Sequence, residues 1–155
     1  MPGPMPDATV RDRAALVGLV TAGARREAAD ASLEELAGLV KAAGLQVALR
    51  AGQERARPDP ATFIGRGKVE TIRAACEELG VDVVVFDNEL TPAQLRNLEK
   101  ALDRRVLDRT QVILDIFARR ARTREGKLQV ELAQLEYSYA RQEGLWQHLE
   151  RLGGG

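Results

Sequence analysis

The densest group of positively charged side chains in the sequence is a basic cluster between positions 119 and 127. Its five members are Arg119, Arg120, Arg122, Arg124 and Lys127. Guanidinium groups make bidentate hydrogen bonds to phosphate oxygens, and closely spaced cations create a strong local positive potential. The cluster therefore predicts contact with a polyanion such as RNA. It contains no aromatic residue, so contact with the nucleic-acid backbone and its shape is favoured over base stacking.

The same cluster also has a purely structural explanation. Cations near the C-terminus of a helix are stabilised by the helix dipole, so the cluster could be a solvated helix end. Net charge does not decide between the two, because 23 basic residues balance 23 acidic ones. Any affinity for nucleic acid must therefore come from the uneven distribution of charge.

A second candidate site is the loop Gly65, Arg66, Gly67 and Lys68, directly before a predicted helix. Backbone N–H groups at a helix N-terminus, together with a lysine, can bind a phosphate. The loop lacks the first glycine and the final hydroxyl of the GxxxxGK[ST] motif, which the chain does not contain. Two hypotheses stay open: a nucleotide- or small-molecule-binding domain that uses this loop, and contact of Arg66 and Lys68 with an RNA backbone.

Other chemically active residues favour structural roles. Asp87, Asn88 and Glu89 follow a predicted strand, where α/β enzymes place catalytic groups, but no histidine or cysteine accompanies them in sequence. Cys76 lies on the apolar face of a predicted helix and should be part of the core. His148 is the only histidine and has no metal-ligand spacing around it. The chain is therefore predicted to be non-catalytic, without a metal site.

Strand and helix patterns alternate over the first two thirds of the chain. Apolar runs of strand length cover residues 14–21, 45–51, 81–86 and 105–107, and helical periodicity lies between them. This alternation predicts an α/β fold, with a small parallel sheet and flanking crossover helices. We call residues 14–107 the platform. Residues 1–13, with several prolines and charges, are expected to form a flexible leader.

Two of the platform helices carry start signals. Ser32 is followed three residues later by Glu35, the spacing of a capping box, and predicts a helix start. Thr91, Pro92 and Gln94 predict a second start, with a threonine cap and proline at the first helical position.

Residues 108–152 predict a long antiparallel two-helix hairpin held out by the platform. The first helix has an apolar face formed by Val112, Ile113, Ile116 and Phe117. The second carries the leucine stripe, which we define as Leu128, Leu132, Leu135 and Tyr139, at heptad spacing. Gly126 is predicted to bend the chain between the helices, which places the basic cluster at the turn. Residues 153–155 are three glycines and are interpreted as the start of a linker to a further domain.

Four stretches resemble the N-terminal region of the HflX family of ribosome-associated GTPases. They are residues 60–68 (PATFIGRGK), 85–94 (VFDNELTPAQ), 108–117 (DRTQVILDIF) and 121–137 (ARTREGKLQVELAQLEY). The resemblance runs in order from about residue 14 to the last residue. One departure follows Tyr137: the family usually has an apolar residue and a Leu-Pro-Arg-Leu-like run, whereas SYARQ stands here. The second helix is therefore predicted to continue without a proline.

The resemblance implies a function for the whole protein and a role for this part of it. Members pair an α/β domain and a helical hairpin with a GTPase domain, bind the large ribosomal subunit and split or rescue stalled ribosomes. The expected partners are thus the large subunit with its rRNA, contacted by the basic cluster, and the protein's own GTPase domain. GTP and Mg²⁺ are expected to bind that domain and not this chain.

Composition predicts a cytoplasmic protein without a membrane partner, and an intramolecular hairpin predicts a monomer. The single cysteine excludes a disulfide within the chain and indicates a reducing compartment. No apolar run approaches the roughly 20 residues that cross a bilayer. Dimerisation through the leucine stripe is the alternative, since heptad patterns also join separate chains.

Overall fold

The computed structural model describes the backbone of residues 12–21 and 25–153, and the side chains of those residues as far as Tyr139. In this part of the chain, four strands alternate with the first four of five helices. The strands are β1 (Arg13–Val20), β2 (Gln46–Glu54), β3 (Val83–Phe86) and β4 (Arg105–Asp108). The helices are α1 (Arg26–Ala42), α2 (Arg66–Leu79), α3 (Pro92–Leu102), α4 (Arg109–Arg120) and α5 (Arg124–Gly153).

The four strands form one parallel sheet in the order β2-β1-β3-β4. Parallel neighbours require long crossover connections, which α1, α2 and α3 supply. The central strands are buried because helices cover both faces, which explains their near-continuous apolar sequences. The predicted α/β class, with a small parallel sheet and flanking helices, is confirmed.

Two apolar cores lie on opposite faces of the sheet. Helices α2 and α3 cover one face, where Ile72 and Leu98 are buried. Helices α1 and α4 cover the other face, where Leu36, Val40 and Ile116 are buried. Helix α4 is therefore an integral layer of the platform, whereas the sequence assigned it to a hairpin held away from the platform.

One predicted helix start is confirmed and the other is wrong. Thr91 and Gln94 form the predicted capping box of α3, with both reciprocal hydrogen bonds present. Helix α1 begins at Arg26 and not after Ser32, which lies inside the helix. The Ser32 hydroxyl and carbonyl both accept from the Arg109 guanidinium, at 3.2 and 3.1 Å. The hydroxyl that was predicted to cap a helix therefore binds a side chain that is distant in sequence.

The connection between α4 and α5 also differs from the prediction. Helix α4 ends at Arg120, and the turn is made by residues 121–123 and not by Gly126. Gly126 lies in the first turn of α5, where its N–H donates to the Thr123 hydroxyl at 2.9 Å. Thr123 thus caps the N-terminus of α5. The prediction that Gly126 bends the chain at the end of the first helix is wrong.

Helix α5 packs against α4 and also contacts α3. The Tyr137 hydroxyl of α5 donates to the Asp108 carboxylate at the start of α4, with 2.5 Å between the oxygen atoms. A short turn at one end of α4 and this contact at the other favour the predicted antiparallel order. Helix α5 then continues to Gly153 as one helix, as the absence of the family's proline predicted.

The predicted packing surfaces of the two helices are partly wrong. The leucine stripe is largely exposed, with 56% of Leu128, 56% of Leu132, 68% of Leu135 and 67% of Tyr139 accessible to solvent. Val130 and Tyr137, on a different side of α5, are only partly exposed. Phe117 of α4 is 55% exposed although it was assigned to the apolar face. The sheet already covers Val112 and Ile116, which leaves α4 with little apolar surface for the stripe.

The remaining expectations concern isolated residues. Cys76 is buried in the core as predicted, and burial raises the pKa of its thiol. The proposed leader up to residue 11 and the His148 side chain lie outside the described residues. Among the described side chains, no three potential metal ligands converge. None of the described helices combines the length and apolar content that crossing a bilayer requires.

Candidate nucleic-acid interface

The basic cluster lies at the N-terminal edge of the sheet. Arg119 and Arg120 form the last turn of α4, Arg122 lies in the connection, and Arg124 and Lys127 belong to the first turn of α5. Helix α4 starts where β4 ends and runs antiparallel to it, so its C-terminus returns to the edge where the strands begin. The cluster is thus beside the platform, and not at the far end of a projecting hairpin as the sequence suggested.

Local structure explains why the cations gather at this point. The Asp108 carboxylate caps α4 by accepting from Gln111 N–H at 3.1 Å, which fixes where the helix begins. Arg119 and Arg120 then occupy its last turn, where the helix dipole favours positive charge. Thr123 starts α5 only three residues later, so Arg124 and Lys127 remain close to the same turn.

The five side chains are exposed and carry uncompensated charge within the described part of the chain. No described carboxylate lies within 4.0 Å of any of their charged nitrogens, whereas Arg50, Arg104 and Arg109 each pair with an acidic side chain. Glu125 is the one acidic residue inside the cluster sequence. Four exposed guanidinium groups and one ammonium group without acidic partners among the described residues are suited to bind phosphate groups.

Arg119 differs from the other four members because its guanidinium lies beside Gly44 of the platform. Its Nη1 atom would lie 3.2 Å from a Cβ atom added to Gly44, the residue between α1 and β2. The guanidinium is therefore next to the C-terminal end of α1, where carbonyl groups and the helix dipole favour a cation. Arg120, Arg122, Arg124 and Lys127 are thus better placed to contact an external ligand.

Arg66 and Lys68 lie at the opposite edge of the sheet from the basic cluster. They open α2, which follows the C-terminal end of β2, so the structure does not bring the two predicted cationic sites together. Helix α2 has no side-chain cap, and no acidic residue occupies its first turn. The Gly65 N–H, one of the amides expected to hold a phosphate, instead donates to the Gln53 side-chain oxygen at 2.9 Å.

A cavity of about 720 Å³ opens at the C-terminal edge of the sheet, between α1, β1, β2 and the connection after β3. This is the edge at which α/β folds commonly bind ligands. Its lining does not include residues 65–68, so nothing here favours the alternative nucleotide site at that loop. Charged groups at the cavity pair with each other, as Arg26 does with Glu54 and Arg50 with Glu34.

The role of Arg109 could not be predicted from the sequence. Its guanidinium donates to Asp87 at 3.0 Å, to Glu35 at 2.7 Å and to the Ser32 carbonyl, joining α1 to the residues after β3. Burial disfavours its charged form, but the hydrogen bonds to Glu35 and Asp87 outweigh this and raise the pKa of Arg109. Asp87 is therefore bound in an ion pair with Arg109, which joins the residues after β3 to the start of α4.

Comparison with known proteins identifies two consecutive family regions in the chain. Residues 30–118 match the family described as GTP-binding GTPase N-terminal, and residues 120–155 match the GTP-binding GTPase Middle Region. The boundary between the two regions coincides with the end of α4. This agrees with the observation that α4 is a layer of the platform.

Individual relatives and one solved structure agree with this match. The chain is 53% identical over 146 residues to GTPase HflX of Lacrimispora saccharolytica, covering 94% of this chain and 34% of the relative. It is 50% identical over 123 residues to GTPase HflX of Escherichia coli K12, covering 79% and 29%. A GTP-binding protein from Sulfolobus solfataricus, solved in complex with GDP, aligns with a TM-score of 0.63 and 25% identity, covering 92% of this chain and 43% of that chain. The chain thus spans about a third of the length of its curated relatives.

Proposed function

The chain belongs to the HflX family of GTPases, whose N-terminal and middle regions it matches, and we propose that this part binds the large ribosomal subunit. The basic cluster would contact phosphate groups of rRNA. The observation that carries this proposal is the exposure of four cations, Arg120, Arg122, Arg124 and Lys127, without a described acidic partner. Arg119 would contribute at the margin of the same surface.

The α/β platform supports this role by fixing the surface on which the cations lie. Helix α4 is anchored by Val112 and Ile116, both nearly inaccessible to solvent, so its last turn has a defined position. Cations on a rigid scaffold lose less conformational entropy on binding than cations on a free tail. Arg66 and Lys68 at the opposite edge would form a separate, secondary contact with RNA backbone.

In the whole protein, the chain would act together with its own GTPase domain. GTP and Mg²⁺ would bind that domain, and the hydrolysis cycle would drive the splitting or rescue of stalled ribosomes in the cytoplasm. This chain would supply recognition and no catalytic group. We expect the protein to be a monomer on its own, which light scattering over a concentration series would measure.

Co-sedimentation with separated ribosomal subunits across a salt series tests the rRNA contact. Replacing Arg120, Arg122, Arg124 and Lys127 by alanine should weaken binding to large subunits. Each lost phosphate contact lowers the slope of log affinity against log salt by roughly 0.7 to 0.9, so four contacts should lower it by about three. Small subunits should bind weakly both before and after the substitution.

A matched control removes the same amount of positive charge elsewhere. Arg73, Arg96, Lys100 and Arg105 are exposed and have no described salt-bridge partner, and they lie on α2, α3 and β4. Their replacement by alanine should leave the salt slope close to that of the parent protein. Equal losses for both quadruple variants would mean that net charge alone drives binding, and the assignment of the basic cluster would be wrong.

A further inference from the structure

The connection from β3 to α3, residues 87–91, is held by three consecutive residues at the start of α4. Arg109 binds Asp87 at 3.0 Å, and the Thr110 hydroxyl donates to Glu89 at 3.4 Å. The Asp108 carboxylate accepts from the Leu90 N–H at 3.4 Å. We call residues 87–91 the β3–α3 loop. Its position therefore depends on the backbone that leads from β4 into α4.

Asp108 is fully buried and has several partners at once. One carboxylate oxygen accepts from Gln111 N–H and so caps α4. The other accepts from Leu90 N–H and from the Tyr137 hydroxyl of α5. A buried carboxylate is stable only when such donors replace the water it has lost. A single side chain thus joins the β3–α3 loop, α4 and α5.

Tyr137 occupies a mechanically important position on α5. Asp108 immediately precedes α4, so at Tyr137 the returning α5 has reached the beginning of its neighbour. From that point α5 continues to Gly153, roughly 24 Å at 1.5 Å per residue. Helix α5 also contacts α3, so the Tyr137 contact acts together with that packing on the direction of the part that follows.

We propose that Asp108 and Tyr137 form a latch that fixes the direction of α5 relative to the β3–α3 loop. Asp87 and Asn88 of that loop also line the cavity at the C-terminal edge of the sheet. Asp108 and Arg109 are adjacent in sequence and hold the loop from α5 and from α1, respectively. A change in the cavity wall would therefore be transmitted to α5 through one buried carboxylate.

Amide hydrogen exchange on Tyr137→Phe tests the latch. The substitution removes one hydroxyl and keeps the ring, so the sheet should stay intact. We expect the amides of residues 134–141 in α5, and the amide of Leu90, to exchange about tenfold faster or more. Losing a hydrogen bond to a charged group shifts a local opening equilibrium by at least that factor. Amides of β1 and β3 should exchange at the parent rate.

Tyr139→Phe is the matched control because it removes the same hydroxyl from a side chain that is 67% exposed two residues away. It should leave all of these rates unchanged. If Tyr137→Phe behaved like this control, or accelerated exchange equally throughout the sheet, the latch would be refuted.

Asp108→Asn provides a second, independent variant, since the asparagine oxygen can still cap α4, whereas the NH2 group that replaces the other carboxylate oxygen cannot accept from the Tyr137 hydroxyl or from Leu90 N–H. The double variant Asp108→Asn with Tyr137→Phe should accelerate α5 exchange by less than the product of the two single effects, because both remove the same interaction. Strictly multiplicative effects would show that the two residues act separately and would overturn the proposal.

Discussion

Replacing Ile116 by alanine should destabilise the protein far more than replacing Leu132 by alanine. Both residues are large aliphatic side chains that recur with other apolar residues at helical spacing, and their sequence patterns are equally suggestive of a core. In the structure Ile116 is 6% exposed and packs into the core between the sheet, α1 and α4. Leu132 belongs to the leucine stripe and is 56% exposed. The pair therefore tests whether α4 or the stripe contributes to the core.

The expected magnitudes follow from burial. Truncation of a buried isoleucine to alanine typically lowers the free energy of unfolding by about 2–5 kcal/mol, so about 3 kcal/mol is expected for Ile116. Leu132 buries less than half of its surface, and its truncation should lower the free energy of unfolding by about 1 kcal/mol or less. For a chain of this size each kcal/mol shifts Tm by roughly 2–4 °C. Ile116→Ala should thus lower Tm by about 6–12 °C, and Leu132→Ala by about 4 °C or less.

Urea and thermal unfolding followed by circular dichroism provide the measurement. The scans should be repeated at several protein concentrations, because self-association through the stripe would make the Leu132→Ala effect depend on concentration. A loss for Leu132→Ala as large as that for Ile116→Ala, at all concentrations, would mean that the stripe is packed within the monomer. The exposed position of the stripe in the structure would then be wrong.

Two further outcomes follow from local geometry. Gly80→Ala should lower the free energy of unfolding by about 1 kcal/mol, because Gly80 ends α2 with a φ of 66°, whereas Gly38→Ala in the middle of α1 should raise it by about 0.5–1 kcal/mol. Neither added methyl group would contact another side chain, so the difference comes from backbone conformation alone. If urea unfolding showed changes of the same sign for both variants, this conformational explanation would be wrong. The Arg104 guanidinium donates a hydrogen bond to Glu77 and holds the pKa of that carboxyl below its ordinary value. The pair therefore stabilises the fold at pH values above the ordinary pKa of glutamate, and this stabilisation is lost as the pH falls through the lowered pKa of Glu77. Glu77→Gln should therefore reduce the difference in urea midpoint between neutral and acidic solution, and an unchanged difference would exclude this pair as a source of pH dependence.

Features that depend on neighbouring residues could be predicted from the sequence. The four strands occupy nearly the predicted positions, because apolar runs bounded by polar turns indicate strands that are covered on both faces. The α3 capping box is likewise formed by two residues that are three positions apart. Local patterns of this kind are sufficient to identify the α/β class and the order of its elements.

Features that depend on distant residues could not be predicted. Ser32 has the correct spacing for a helix cap, but Arg109, separated from it by 77 positions, uses its hydroxyl. The Tyr137 hydroxyl donates a hydrogen bond to Asp108, 29 positions earlier, and no sequence motif predicts that contact. A heptad pattern shows that one side of a helix is apolar without specifying what covers it. The leucine stripe was therefore interpreted as part of an intramolecular hairpin, whereas the apolar residues of α4 are packed against the sheet.

The sequence identifies which residues form the basic cluster, but it does not predict where the cluster lies on the fold. Five cations within nine positions can be read directly from the sequence. Their location depends on the direction in which α4 leaves the sheet, and this is determined by the packing of Val112 and Ile116. Since α4 folds back along the platform, the cluster lies at the N-terminal edge of the sheet.

The central position of β1 has a consequence for synthesis of the protein. This strand is the first of the sheet to be made, yet it pairs with β2 on one side and with β3, about 70 positions later, on the other. Its apolar residues cannot be fully covered before β3 has left the ribosome. Pairings between distant segments form slowly, and uncovered apolar strands tend to aggregate. During translation the nascent chain should therefore depend on chaperone protection until about residue 86 has emerged.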